Sequence, residues 1–183
     1  MPDPIPYPAA RLAQMADYSK RHYGTASSAL TPSVIVVHYT ETDTYRPVWN
    51  LFAANTAALG ELPGVCAHFV IDQGGTIHQL VPTTVRCRHT IGLNDSAIGI
   101  EVVQSSRGHG AGWAEQQILA RPAQATALVA LIRQLQAQHG IPTSSVIGHA
   151  MANADPRFHD LLGWRNDHTD WGAGPIAELR ARL

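Results

Sequence analysis

Ser33-Val-Ile-Val-Val-His38 decides the fold. Four consecutive β-branched residues, with no polar residue on either side of the alternation, describe a strand covered on both faces. Such strands belong to sheets with helices packed against them. Downstream, Tyr45 to Ala58 places Val48, Leu51, Phe52 and Asn55 at helical spacing. Ala67 to Asp72 and Thr76 to Val81 alternate around Gln73-Gly74-Gly75, a hairpin with turn glycines. Ala97 to Val103 is a second apolar strand, interrupted by one acid, Glu101. Leu128, Leu131, Ile132 and Leu135 form a helical core stripe that stops at Gly140, with Pro142 just beyond. Ser145-Val-Ile-Gly-His149 predicts a last short strand, and Glu178 to Leu183 a terminal helical turn. Upstream, residues 1–32 are rich in Pro, Ala, Tyr and Ser, with a short helical stretch around Leu12 to Arg21. They predict an N-terminal arm packed on a domain spanning 33–183. Strands alternating with helices, plus one hairpin, give an α/β sheet with helices on its faces.

Composition narrows the function classes. An apolar fraction of 45% and a charged fraction of 15% are globular values. A net charge of −1 gives no basic field for nucleic acid or an anionic membrane surface. No stretch approaches the roughly 18 apolar residues that a membrane span requires, so no membrane insertion is expected. The first thirty residues carry no apolar h-region of a signal peptide. Cys66 and Cys87 are too few for a disulfide scaffold and lack the short spacing of a structural zinc site. They could form one bridge, because the intervening hairpin folds their segments back together.

Ten histidines is a high count for 183 residues, and most histidines in any chain are surface or capping residues. Position discriminates among them. Three apolar strands contain or end in one acid/base side chain, namely His38, Glu101 and His149. Buried strands rarely carry ionisable groups unless these are paired or bind metal. His38 and His149 lie at carboxyl ends of strands, where ligands gather in open α/β sheets. Gly99, the same-face neighbour of Glu101, leaves space in front of that carboxylate. The loop Trp164-Arg-Asn-Asp167-His168-Thr-Asp170-Trp171 is either a polar turn or the source of a third ligand. Two imidazoles and a carboxylate would leave one coordination position open for water, as catalytic zinc requires.

These segments resemble the type 2 N-acetylmuramoyl-L-alanine amidase family, which includes phage lysins, cell-wall amidases and peptidoglycan recognition proteins. The matching stretches are Val-Ile-Val-Val-His38-Tyr39-Thr40, Ala67-His68-Phe69, Gly75-Thr-Ile-His-Gln-Leu-Val-Pro82, Arg88-His89-Thr, Asn94-Asp-Ser-Ala-Ile-Gly-Ile-Glu101, Val-Ile-Gly-His149 and His168-Thr-Asp170-Trp. They fall in the family's order across about residues 33 to 172, with phrasing closest to the actinobacterial and phage-associated branch. The resemblance implies a mixed central β-sheet flanked by helices, and Zn²⁺ held by His38, His149 and an Asp. Arg165-Asn-Asp167 and His168-Thr-Asp170 compete for the third ligand, and the branch favours Asp170. Glu101 is implied as the proton carrier and His168, in place of the family's Lys, as support for the transition state. His89 resembles the substrate-side histidine, with Tyr39, Thr40 and Asn94 lining the groove; packing at a strand end explains Tyr39 and Thr40 equally well. His68 and His78 are left structural, and His22, His109, His139 and His159 match no role. The implied activity is hydrolysis of the lactyl–L-Ala amide of peptidoglycan by a monomer, in the cell envelope or, for a phage lysin, in the host cytoplasm. A non-catalytic peptidoglycan-binding module and a zinc hydrolase of another amide are the rival readings.

Overall fold

The computed structural model describes residues 2–183. Its centre is β1 (Val34–Tyr39), β2 (Phe69–Ile71), β3 (Ile77–Gln79), β4 (Ala97–Val102) and β5 (Val146–Gly148), in the order β3-β2-β4-β1-β5. The β1·β4, β1·β5 and β2·β4 pairs are parallel, and only the β2–β3 hairpin is antiparallel, so the sheet is mixed. Its helices are α1 (Ala9–Tyr23), α2 (Tyr45–Ala54), α3 (Trp113–Ala120), α4 (Pro122–His139) and α5 (Ala173–Arg180).

Strand alternation sorts the two faces. Ile35 and Val37 of β1 and Ile98, Ile100 and Val102 of β4 join one core with Ile118, Leu128, Leu131, Ile132, Ile176 and Leu179. That face therefore lies under α3, α4 and α5. Val34 and Val36 point the other way, into a smaller cluster with Leu93 and Ile147. His38 and Glu101, on that second alternation, are register partners across β1 and β4. The parallel register alone thus sets two acid/base residues side by side at one end of the sheet.

Several expected boundaries move. The helix predicted for residues 45–58 stops at Ala54, because Asn55 takes a left-handed conformation (φ 50°) and its Oδ1 accepts from Gly64 N–H at 2.9 Å. Leu51, expected on its apolar stripe, is 55% exposed. Helix α4 starts six residues ahead of its leucine stripe, with Pro122 in the first turn, and ends as expected with Gly140 capping it at φ 67°. Helix α5 begins at Ala173, ahead of the predicted turn at Glu178. Helix α3 has no counterpart in the sequence expectation.

Cys66 and Cys87 are bonded, with Cα atoms 5.5 Å apart. The bridge joins the segment entering β2 to the stretch that carries His89. The N-terminal residues run beside the hairpin, with Asp3 N–H donating to Gln79 O and Ile5 N–H to Leu80 O. The buried Arg11 donates to Phe52 O at 2.7 Å. No helix among the described residues is long and apolar enough to cross a membrane.

Candidate metal centre

β1 delivers His38, and β5 runs directly into His149, so neighbouring parallel strands present two imidazoles at the same end of the sheet. The Nδ1 atoms of these rings lie 3.0 Å apart. Asp170 reaches them from the loop before α5, with Oδ2 3.4 Å from His38 Nδ1 and Oδ1 3.2 Å from His149 Nδ1. All three residues are buried. Asp167, the competing carboxylate, is fully exposed and touches only the edge of His168, at 3.9 Å.

The Asp170 loop is pinned from two sides. Glu115 on α3, itself buried, accepts from Trp171 N–H at 2.6 Å, and Ala150 N–H donates to Asp170 O at 2.9 Å. Gly148 is required here for a different reason. A Cβ at this position would collide with the backbone carbonyl of Trp171, so β5 and the loop pack main chain against main chain.

Hydrogen bonds fix which nitrogen of each ring carries the proton. His89 Nε2–H donates to Ala97 O at 3.2 Å, which leaves His89 Nδ1 as an acceptor. His38 Nε2 lies 3.2 Å from that atom and 3.3 Å from Thr90 Oγ1, so it is the proton-bearing nitrogen of His38. His149 Nε2–H donates to Asn166 Oδ1 at 3.0 Å. Both Nδ1 lone pairs therefore face each other and a carboxylate. Three converging lone-pair donors repel one another unless a cation lies among them, and imidazole with carboxylate is a set that zinc accepts.

Burial, then the neighbouring His149, lowers the His38 pKa to about 4, which keeps the ring a neutral donor. Burial would raise Asp170, but the His149 and His38 rings beside it more than reverse this, and the carboxyl is held well below the usual range. Glu101 moves oppositely. Burial first, then the charge of Asp170, pushes it up to about 8. Its Oε2 is enclosed without a hydrogen-bond partner.

A groove of about 500 Å³ opens over this cluster, bordered by Tyr39, Glu41 and Leu51 with Glu101 and His168. A second arm of about 290 Å³ continues past His149, bordered by Leu59, Ile91 and Asn166. His168 stacks on His149 with ring centroids 4.1 Å apart and is largely exposed. Burial, then His149, lowers its pKa, so it faces the groove as a neutral imidazole rather than a fixed cation.

One expectation needs correction. Gly99 leaves no free space before Glu101, because the His89 ring occupies it; a Cβ at residue 99 would lie 2.7 Å from that ring. His89 is correspondingly turned inward onto His38, while keeping an edge on both arms of the groove. Asn94 is wholly buried, and its Oδ1 accepts from His89 N–H at 2.8 Å and Thr90 N–H at 2.7 Å. It shapes the His89 turn and has no carbonyl left for a ligand. Thr40 borders the groove, but its hydroxyl is occupied by Thr42 and by Gln104 N–H. Tyr39 does border the groove, and burial, then Glu115, pushes its phenol up to about 12. His68 is structural, accepting from Gly99 N–H at 3.0 Å and facing Val85 O.

Residues 28–172 match the family described as N-acetylmuramoyl-L-alanine amidase. The chain belongs to that family. Solved amidases share its fold. N-acetylmuramoyl-L-alanine amidase LysC from Clostridium intestinale URNW is 23% identical, with a TM-score of 0.60 over 86% of this chain and 88% of that one. A mutant endolysin from Bacillus subtilis is 22% identical (TM-score 0.52, 86% and 88% covered), and an AmpD derivative 23% identical (TM-score 0.54, 81% and 84% covered). No curated protein matched. The buried His38, His149 and Asp170 of this amidase fall inside the matched span, as does Glu101.

Proposed function

We propose that the amidase hydrolyses the lactyl–L-Ala amide of peptidoglycan with the help of one zinc ion. Family membership supports the amidase activity and, through it, a peptidoglycan substrate. The observation that carries the zinc reading is the convergence of two Nδ1 lone pairs and one carboxylate within 3.4 Å, each imidazole proton tied up on the far nitrogen. His38, His149 and Asp170 would hold the ion, which supplies Lewis acidity toward the scissile carbonyl and an attacking water.

The chain's own groups do the rest. Glu101 has one carboxylate oxygen without a partner beside the cluster, and a poorly solvated carboxylate is a stronger base than a solvated one. It takes the proton of the attacking water and returns it to the departing L-Ala nitrogen. Transfer of this kind is worth about 10²–10⁴ in rate. His168, neutral and stacked on His149, offers a ring N–H to the oxygen on which charge develops. The open groove and its second arm leave room for substrate on both sides of the cluster.

Purified protein incubated with peptidoglycan, with and without a chelator, tests the reading. Release of intact stem peptides that begin with L-Ala, lost on chelation and restored by zinc, is the expected result. Unchanged release in the chelated sample would remove the metal from the reaction, and release of other fragments would move the cleaved bond.

A further inference from the structure

Asn166 was not among the residues that the sequence singled out, yet both ends of its amide are committed. Its Nδ2 donates to Ile91 O at 2.8 Å, and its Oδ1 accepts from Ile91 N–H at 3.1 Å. That two-point clamp on one backbone unit fixes which end of the amide is oxygen. The same Oδ1 lies 3.0 Å from His149 Nε2. Its main chain is held as well, with Asn166 N–H donating to Asn153 Oδ1 at 3.0 Å and Asn153 Nδ2 to Asn166 O at 2.7 Å.

An acceptor that cannot turn permits only one tautomer of the ring it faces. His149 must carry its proton on Nε2 and aim the Nδ1 lone pair at His38 and Asp170. We infer that Asn166 is the positioning residue of the metal centre, setting the tautomer and ring angle of His149 from the wall of the groove's second arm. This rests on the zinc reading above. Outer partners of ligating histidines are worth about 10–100-fold in metal affinity.

Two substitutions separate this role from simple bracing of the loop. Asn166→Leu removes the acceptor and both Ile91 bonds. Asn166→Asp keeps an acceptor for His149 Nε2–H and loses the Nδ2 donation to Ile91 O. Zinc affinity measured by competition with a chromophoric chelator should fall about 10–100-fold in Asn166→Leu. It should stay within about threefold of wild type in Asn166→Asp. Nitrogen-15 spectra of the metal-free proteins should give one Nε2–H tautomer at His149 in wild type and Asn166→Asp, and a mixture in Asn166→Leu. Equal affinities in wild type and Asn166→Leu, or equal losses in both variants, would overturn the inference and leave the zinc reading standing. A wild type that does not bind zinc would remove both.

Discussion

Two carboxyl groups share one groove and behave as opposites. Glu101, on the sheet, has an enclosed oxygen without a partner and is pushed up to about 8. Asp170, on a loop, lies against two imidazoles and is held far down. Burial raises both; the groups set beside each carboxyl decide the difference. A carboxylate that holds protons weakly suits permanent contact with a cation, and one that holds them tightly suits proton transfer. The lesson is that the division of labour comes from partners rather than from residue type, since nothing in Asp versus Glu requires it.

The largest break in that comparison is Asp170→Ala, which should empty the metal centre and abolish activity, while Asp167→Ala keeps both; zinc content by mass spectrometry checks it. Glu101→Gln should keep the metal and lower kcat by about 10²–10⁴, measured on muropeptide release. A kcat within a few-fold of wild type would assign the proton transfer elsewhere. His168→Ala, with neither carboxyl touched, should cost about 10² in kcat. The smallest effect is on stability and is a matter of pH. In the metal-free protein the unfolded Glu101 deprotonates near 4.5 and the folded one near 8, so the folded state holds the extra proton between them. Stability contributed by this group therefore falls as pH rises through that window. Glu101→Gln should accordingly be more stable than wild type above pH 8, by about 2 kcal/mol once partial solvation is allowed for, and level with it near pH 4. Denaturant melts at the two pH values check the sign.

The parts of the molecule that repeat a period were legible in the chain. Val34–Val37 is legible as a β-branched run and Ala97–Val102 as a short apolar one, and the hairpin follows from its glycines. His38, Glu101 and His149 stood out because ionisable groups are costly on such strands. Helix α3 was missed because Trp113-Ala-Glu-Gln-Gln-Ile-Leu-Ala has too few apolar positions to form a stripe, and only packing against α4 and α5 orders it. That the side-chain oxygens of Asn94 and Thr40 are taken by neighbouring backbone cannot be read from sequence. Asn166 stayed hidden because its role exists only where residues 91, 149 and 166 meet.

Gly148 carries a liability out of proportion to its size. The strand and the Asp170 loop touch there through bare main chain, with no room for even one added carbon. A methyl group at that spot would act as a wedge, levering the loop outward and taking the carboxylate with it. An alanine variant would thus resemble a damaged metal centre in every assay while all its reacting side chains were still in the chain, a fault in the hinge-plate rather than in the lock.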